Sequence, residues 1–282
     1  MNVLSLFDGM SCGRLALERA GHEIANYFAS EVDKFAIKVA AGNYPDTKHL
    51  GDVTRVRASD LPEIDLLIGG SPCQGFSFAG KQLNFEDERS KLFFEFVRLL
   101  EECKPRYFLL ENVRMKKEYQ DVISKLLGVE PIEINSALVS AQNRRRLYWT
   151  NIEGVEQPED RGIFVADILE GEVEEKYYMS PSWRKWWAKN KEFQLKKKYS
   201  SLDAEKAICM TARQYADWSG NFLSDPRGVR RYTPIECERL QTVPDNFTNF
   251  VSDTQRYKML GNGWTVDAVT HIFKNMPDFL AW

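Results

Sequence analysis

The sequence lacks the features of a membrane-spanning or exported chain. No stretch of its 282 residues approaches the ~20 consecutive apolar residues that cross a bilayer. The first residues, Met1-Asn2-Val3-Leu4, carry no basic segment of the kind that begins a signal peptide. With 43% hydrophobic residues, the chain is long enough to bury a substantial core. We therefore expect a soluble, cytoplasmic protein of one large domain, or of one large and one smaller domain.

Cysteine and histidine are scarce. The five cysteines are an odd number and form no CxxC pair, which argues against a disulfide framework and against a zinc site. We therefore expect no metal and at least one unpaired thiol. The three histidines, His22, His49 and His271, form no catalytic pattern with a cysteine, which argues against a cysteine protease. The cysteines are Cys12, Cys73, Cys103, Cys209 and Cys237.

An excess of positive charge is also missing. The formal net charge is -3 at pH 7, so the chain as a whole has no field that attracts polyanions. Binding to nucleic acid would have to depend on local groups of cations.

The pattern of apolar runs predicts an α/β protein. Short, nearly continuous apolar runs are typical of parallel strands that are covered on both faces, and helical spacing separates them. Their alternation predicts a doubly wound, mostly parallel sheet, whose ligands bind outside the carboxyl ends of the strands. The predicted strands are residues 3–7, 24–29, 64–68 and 107–110, and the predicted helices are residues 12–20, 33–41, 91–103 and 264–273.

A glycine-bearing loop follows the first predicted strand, and an acid follows each of the next two turns. Gly9 and Gly13 let the backbone turn sharply and approach a ligand at the start of a helix. Glu31 stands where nucleotide-binding sheets hydrogen-bond a ribose, and Asp52 follows the next turn. Each feature alone is also compatible with a structural turn, a cap or a surface charge. Together they predict a cofactor that contains a nucleoside.

A second glycine-rich loop, GGSPCQGFSFAG at residues 69–80, places Cys73 at the end of a predicted buried strand. An exposed, polar loop suits a nucleophilic thiol better than a packing cysteine, although a loop cysteine without a role is an open alternative. Glu111 stands at the end of the next predicted strand. It either reaches a substrate held over Cys73 or caps a helix that starts near Met115.

The ordered motifs of the chain resemble those of the DNA (cytosine-5) methyltransferases, and the match spans nearly the whole length. The ProCysGln, GluAsnVal and GlnXArgXArg patterns are specific in combination. Residues 89–96 and 260–266 resemble the animal de novo enzymes of the family. The motifs are Phe7-Asp8-Gly9 with Gly13, Ser71-Pro72-Cys73-Gln74-Gly75-Phe76-Ser77, Glu111-Asn112-Val113, Gln142-Asn143-Arg144-Arg145-Arg146, residues 231–241 and Gly261-Asn262-Gly263-Trp264.

The resemblance implies four catalytic residues. Cys73 would add to carbon 6 of a cytosine ring, and Glu111 would stabilise the developing charge at ring N3. Arg144 and Arg146 would bind the ring carbonyl oxygen and a backbone phosphate, for which a planar fork of donors is suited. Taken without the other motifs, these arginines are also compatible with a solvated basic turn.

The resemblance also implies S-adenosyl-L-methionine as the methyl donor. Phe7 would pack on the adenine, and Gly9 and Gly13 would approach the methionine portion. Glu31 would hold the ribose hydroxyls, and Asp52 would accept from the adenine amino group. The other residues implied to bind this cofactor are Asp8, Val32, Val53, Pro72, Leu92, Asn262 and Trp264.

The substrate implied is double-stranded DNA, from which the target cytosine must be flipped out. We expect a discontinuous catalytic domain of residues 1–152 and 256–282 and a smaller target-recognition domain of residues 153–255. Tryptophans 183, 186 and 187 are expected to form the core of the smaller domain, and its lysines to face DNA. Residues 82–85 are hypothesised to enter the duplex. The residues expected to contact DNA are Gln74, Ser77, Gln82, Arg184, Lys185, Arg213 and Arg231.

Several features of the partners stay open. We expect a monomer from a prokaryotic or viral source, whose activity requires no companion restriction endonuclease. A transfer RNA cytosine-5 methyltransferase, or an inactive DNA-binding homologue, are the alternatives. A nicotinamide oxidoreductase would share the sheet but would explain neither Cys73 nor Glu111.

Overall fold

The protein is described by a computed structural model that covers residues 1–71, 88–197, 199–216 and 219–277, with the backbone alone at residues 88–91. Two compact units make up the chain. The first unit contains Met1–Ile134, Arg145–Pro158 and Ala268–Trp282, and the second contains Asn135–Arg144 and Glu159–Asp267. These bounds differ from the expected ones chiefly at residues 135–144 and 256–267, which group with the second unit.

The first unit is built on a seven-stranded sheet, in the order β3-β2-β1-β4-β5-β8-β6. The pairs β1/β2, β1/β4, β2/β3 and β4/β5 are parallel, and β5/β8 is antiparallel. The predicted doubly wound, mostly parallel sheet is therefore confirmed. The strands are β1 Asn2–Leu6, β2 Asn26–Ser30, β3 Lys48–His49, β4 Leu66–Gly69, β5 Tyr107–Val113, β6 Ile132–Asn135 and β8 Arg145–Thr150, whereas β7 Gln142–Asn143 belongs to a separate pair.

The helices cover the sheet through apolar side chains at helical spacing. Leu4 and Leu6 of β1 belong to a buried cluster with Phe96 of α3 and Ile123 of α4. Strand residues alternate between the two faces of a sheet, so Ser5 points away from this cluster. Within the described residues, no helix is both long and apolar enough to cross a membrane. The helices are α1 Cys12–Ala20, α2 Lys34–Asn43, α3 Glu88–Cys103, α4 Lys117–Leu127, α5 Pro181–Lys196, α6 Pro234–Leu240, α7 Asp253–Asn262 and α8 Val266–Phe273.

The last helix returns to the beginning of the chain. The Thr270 hydroxyl of α8 donates to the Ala16 carbonyl of α1 at 3.3 Å. His22 Nε2 lies 2.8 Å from the Phe273 carbonyl oxygen, and His22 is buried. These bonds fix α8 against α1, so His22 is a packing residue.

The second unit has a small aromatic core. Trp183 and Trp187 of α5 stack with their ring centroids 5.2 Å apart, and both pack with Met179 and Phe222. This confirms that these tryptophans form a core. Trp186 is only partly buried against it. The sheets of this unit are β9 Ser200–Leu202, β11 Gly220–Asp225 and β12 Gly228–Arg231 in one, and β7 with β10 Ala207–Ile208 in the other.

Candidate active site

The strand order reverses at β1, which lies between β2 and β4. In open α/β sheets such a switch point leaves a crevice at the carboxyl ends of the strands, where ligands bind. Leu6, which ends β1, stands opposite Gly69, which ends β4. A Cβ on Gly69 would lie 3.1 Å from the Leu6 carbonyl oxygen and 3.1 Å from Phe96 Cδ2. The absence of a side chain at Gly69 therefore lets the two strand ends and α3 pack closely beneath the crevice.

The turn after β1 has an unusual backbone. Phe7, Gly9 and Ser11 have φ angles of 57°, 60° and 63°, which is the left-handed region. Gly9 adopts this region without strain, whereas a residue with a Cβ does so at a cost of about 1 to 3 kcal/mol. The strained residues Phe7 and Ser11 flank Gly9, so the surrounding structure must hold the turn in place.

Asp8 supplies that restraint. Its Oδ1 accepts from the hydroxyls of Ser5 at 2.6 Å and Tyr27 at 2.7 Å, and its Oδ2 accepts from the Ser11 hydroxyl at 2.5 Å. Burial raises the pKa of Asp8 above its ordinary value of 3.8, although these hydroxyl donors lower it in part. Sequence reasoning missed Ser5, Tyr27 and Ser11. The signal for Ser5 was a single hydroxyl within an apolar strand.

Glu31 joins the ends of β1 and β2. Its Oε2 accepts from the Gly9 backbone N–H at 2.8 Å. Its Oε1 accepts from the N–H groups of Val32 at 2.7 Å and Asp33 at 2.8 Å. A carboxylate has about four acceptor positions, so these bonds leave capacity for a hydroxyl donor. Val32 beside it is 72% exposed.

Asp52 lies at the surface and caps a 3₁₀ helix, Val53–Arg55. Its Oδ1 accepts from the Thr54 N–H at 3.0 Å and from the Thr54 hydroxyl at 2.9 Å. The backbone N–H of Thr54 holds the pKa of Asp52 below its ordinary value. The Val53 side chain is buried in the core of the first unit. Asp52 is therefore an ionised acceptor at neutral pH, and the cap that was considered for it is present.

Apolar surface accompanies these acceptors. Phe7 and Leu92 are partly buried, and both pack on the core cluster that contains Leu4 and Phe96. Gly13 is buried in the first turn of α1. Partly exposed apolar side chains beside carboxylates can hold a flat, polar-edged ring such as a nucleobase.

Strand β5 continues to Val113, beyond the predicted end at Leu110. The sequence suggested an end because Glu111 and Asn112 are polar, but the ladder to β8 continues through them. The Asn112 side-chain N–H₂ donates to the Ser71 hydroxyl at 3.1 Å, and both residues are buried. Asn112 thus fixes the backbone two residues before Cys73.

Glu111 forms an ion pair with Arg146 of β8. Arg146 Nε lies 2.8 Å from Glu111 Oε1, and the two side chains are 13% and 11% exposed. In the ladder Arg146 stands opposite Val113, so Arg146 and Glu111 are diagonal neighbours on one face. The alternative that Glu111 caps a helix is wrong, because α4 begins at Lys117 after the cap residue Lys116.

Five residues assigned by sequence to the cysteine loop lie outside the described residues. They are Pro72, Cys73, Gln74, Ser77 and Gln82.

Arg144 is placed in the second unit and is only 2% exposed. Its Nη1 donates to the Met210 carbonyl at 2.8 Å, and its Nη2 donates to the carbonyls of Gly261 at 3.1 Å and Gly263 at 2.8 Å. The guanidinium is thus directed to backbone carbonyls, and the expected contact of Arg144 with the substrate stays a prediction. The basic-turn alternative fits only Arg145, which is exposed and pairs with Glu133.

The other predicted binding residues of the second unit lie near or at its surface. At the end of α7, Asn262 is exposed and Trp264 is half-buried; their role toward a cofactor stays a prediction. Arg184 and Lys185 of α5 and Arg213 are exposed, and Arg231 is half-buried with its Nη1 donating to the Tyr215 carbonyl at 2.7 Å.

Comparison with known proteins agrees with this architecture. The family model of the C-5 cytosine-specific DNA methylases matches residues 1–154 and 153–278. The chain is 34% identical over 309 residues to the Type II methyltransferase M1.ScrFI of Lactococcus lactis subsp. cremoris, covering 99% of this chain and 78% of the relative. It is also 34% identical to the Type II methyltransferase M.NlaX of Neisseria lactamica over 303 residues, with 99% and 97% covered.

A solved structure supports the fold. The S. pombe Dnmt2 methyltransferase superposes with a TM-score of 0.79 at 20% identity, covering 97% of each chain. At this identity the likeness concerns the fold, which is that of the class I methyltransferases. Because the family model covers nearly the whole chain and the relatives align along it, the chain belongs to the C-5 cytosine-specific DNA methylase family.

Proposed function

We propose that this DNA cytosine-5 methyltransferase acts on a specific duplex sequence through covalent attack of Cys73 on carbon 6 of a flipped-out cytosine. The observation that carries the proposal is the buried pair of Glu111 and Arg146, next to an Asn112 side chain that holds Ser71. The first contact orients the Glu111 carboxyl group. The second ties the neighbouring residue of β5 to Ser71, two positions before Cys73.

Glu111 and Arg146 have complementary roles in this proposal. When the Cys73 thiolate forms a bond to carbon 6, an electron pair moves into the ring, and negative charge develops at N3 and at the carbonyl oxygen. A carboxyl group hydrogen-bonded at N3 and a cation beside it stabilise that charge. The ion pair holds both side chains at a site where they are largely screened from water, so little reorganisation is needed during the reaction.

The later steps restore the thiol and the aromatic ring. Addition at carbon 6 makes carbon 5 a nucleophile, which would take the methyl group of S-adenosyl-L-methionine. The bond from that methyl group to sulfur would break as the new carbon–carbon bond forms, and a neutral thioether would leave. A base then removes the carbon-5 proton, its electron pair re-forms the ring double bond, and the Cys73 thiolate leaves carbon 6. The product is 5-methylcytosine.

The residues at the switch point fit S-adenosyl-L-methionine, which supplies a methyl group activated by a positive sulfur. Phe7 and Leu92 provide apolar surface for the adenine. Glu31 retains acceptor capacity for the ribose hydroxyls, and the exposed carboxylate of Asp52 suits the adenine amino group. Asp8 acts indirectly, because it fixes the turn that presents Phe7 and Gly9. Val32, Val53, Gly13, Pro72, Asn262 and Trp264 are proposed to complete the site.

The duplex partner is proposed to be held mainly by the second unit. Exposed Arg184 and Lys185 on α5 carry the charge that phosphates attract. Arg213 is exposed as well. From the cysteine loop, Gln74, Ser77 and Gln82 are proposed to contact the DNA around the flipped base, at a flipping cost of a few kcal/mol. The enzyme is proposed to act as a monomer and to require no companion endonuclease for its activity.

Expression in a methylation-deficient host tests the function directly. Sequencing the host DNA after bisulfite conversion should show cytosines protected in one sequence context. A Cys73→Ser variant should retain affinity for S-adenosyl-L-methionine while its turnover falls more than about 100-fold. Soluble protein together with unprotected cytosines in every context would contradict the assignment.

The choice between DNA and transfer RNA needs a second measurement. The Type II relatives are DNA-modifying by family, which favours DNA. Transfer of a tritiated methyl group from the cofactor to duplex DNA and to transfer RNA should give product on duplex DNA alone. Product on transfer RNA alone would support the alternative.

A further inference from the structure

Arg144 is a buried cation whose donors point to backbone carbonyls of two separate segments. Nη1 binds the carbonyl of Met210, while Nη2 binds those of Gly261 and Gly263 at the end of α7. Burying a guanidinium is costly unless its donors are satisfied. One side chain therefore ties the segment at Met210 to the end of α7.

Gln142 binds the backbone of the same residue, Met210, through its other polar group. Its Oε1 accepts from the Met210 N–H at 3.2 Å, and its Nε2 donates to the Leu240 carbonyl at 2.7 Å. The residue is fully buried. The strand pair β7/β10 aligns Gln142 with Ala207. The GlnXArg motif thus binds both the N–H and the carbonyl of Met210, one with each side chain.

Gly261 adds a steric restraint. A Cβ at this position would lie 2.1 Å from the Thr211 carbonyl carbon and 2.3 Å from the Ala212 nitrogen. Atoms cannot approach this closely, so any side chain at Gly261 would displace the backbone of residues 211 and 212. The glycine allows this backbone to lie directly on α7.

The segment is also fixed where it ends. Gln214 is 2% exposed, and its Oε1 accepts from the Asn221 N–H at 3.2 Å. Arg231 Nη1 donates to the Tyr215 carbonyl at 2.7 Å. Between these restraints, the side chains of Thr211 and Arg213 are exposed. Residues 211–216, here named the recognition turn, are therefore rigidly held while two polar side chains face outward.

We propose that the recognition turn reads one base pair of the target through Arg213, and that Gln142, Arg144 and Gly261 are positioning residues for it. This inference rests on the proposed function. An arginine fork that donates to a guanine edge discriminates between bases by about 5- to 150-fold. Such a contact requires the backbone to be held to within about 0.5 Å, which the buried contacts of Arg144 and Gln142 provide.

The test measures discrimination ratios. Purified full-length variants are assayed on the target duplex and on duplexes that differ from it at one base pair, and kcat/KM is compared. Each ratio compares kcat/KM on two duplexes with the same preparation, so it does not depend on the fraction of the protein that is active. Arg213→Gln should lower discrimination at one base pair by about 5- to 150-fold, while the other positions keep theirs.

Arg144→Lys and Gly261→Ala should lower discrimination at that same base pair, because a lysine cannot bind both segments with one fork. Affinity for S-adenosyl-L-methionine should not change in Arg213→Gln, because Arg213 is not among the proposed cofactor residues. Arg145→Lys, at the exposed neighbouring position, should leave every ratio unchanged. Unchanged ratios in Arg213→Gln would overturn the reading role. An Arg144→Lys variant that loses kcat equally on all sequences would instead make Arg144 a catalytic contact.

The failure of this inference can be distinguished from failure of the proposed function. If the wild-type protein methylates no host DNA, the same variants are compared by equilibrium binding to a randomised duplex pool. An altered sequence preference in Arg213→Gln and Arg144→Lys, but not in Arg145→Lys, would support the recognition turn. An identical sequence preference in the wild type and in these three variants would overturn the inference.

Discussion

Asp8 and Glu31 share the task of shaping one turn. Asp8 binds three hydroxyl groups beneath it, and Glu31 binds the N–H of Gly9 above it. Both are predicted cofactor residues, and both also bind groups of the chain itself. These bonds offset the strain of Phe7 and Ser11, so the turn is formed before any ligand arrives, which reduces the ordering cost of binding.

The raised pKa of Asp8 predicts how the free energy of unfolding depends on pH. The folded chain binds this proton more tightly than the unfolded chain does, so the stability that the protonated carboxyl contributes is lost as pH rises from about 4 through the raised pKa. In urea unfolding, the free energy of wild type relative to Asp8→Asn should therefore fall between pH 4 and pH 7. A constant difference would contradict the raised pKa.

Asp52 provides a control, because its pKa is shifted in the opposite direction from that of Asp8. Its pKa is lowered, so the stability that its carboxylate contributes is present above about pH 4 and is lost only as the pH falls further. The difference between wild type and Asp52→Asn should be flat between pH 4 and pH 7.

Glu111 should be sensitive to the loss of its charge. In a Glu111→Gln variant the amide cannot transfer a proton, and Arg146 loses its anionic partner. We expect single-turnover methyl transfer to fall about 100-fold or more, with little change in cofactor affinity. Glu118→Gln on α4 is the matched control, because Glu118 is exposed and lies 3.6 Å from Lys116. Comparable losses in both variants would argue against a role in the reaction.

At the scale of elements, apolar runs predicted most of the sheet. Helix α1 was predicted with its observed ends, because its apolar positions are regularly spaced. Strand β5 was predicted too short, because Glu111 and Asn112 interrupt the apolar run. Functional side chains at a strand end are polar for reasons of chemistry, so a hydrophobicity pattern places the end of the strand before them.

Helix α5 is expected to depend on its stacked indoles. Trp187 is buried and lies 5.7 Å from the ring of Phe222, centroid to centroid. Trp187→Ala should lower the free energy of unfolding by about 3 to 5 kcal/mol, measured by urea unfolding with circular dichroism. Trp186→Ala, at a partly buried position, should cost less. Equal costs would mean that the stack does not stabilise the unit.

At the scale of the whole molecule, the net charge of -3 opposes long-range attraction to DNA. Binding must then depend on cations concentrated at particular places. Helix α5 is such a place, since its lysines and Arg184 are exposed while its tryptophans face the core. One helix thus separates a structural face from a charged one.

This separation predicts the salt dependence of DNA binding. Arg184→Gln combined with Lys185→Gln should weaken binding to all duplexes by the same factor. It should also reduce the slope of log affinity against log salt by about 2, because two phosphate contacts are lost. Fluorescence anisotropy at several salt concentrations measures both quantities. Lys117→Gln on α4, which removes an exposed cation paired with Asp121, should change neither.

The sequence by itself determined the class of fold and the chemistry of the family. Apolar runs and glycines specify where a chain turns, and the combined motifs around Cys73, Glu111 and Arg146 restrict the reaction. These signals are local, so they can be read along the chain.

The tertiary structure decided what each polar group contacts. Arg144 and Arg146 are two residues apart in one motif, yet Arg146 pairs with Glu111 of β5, whereas Arg144 binds carbonyls near Met210 and Gly261. The partners lie far away in sequence and come together only on folding. A guanidinium can donate to a carboxylate, a phosphate or a carbonyl, so the groups that surround it in space determine which of these roles it takes.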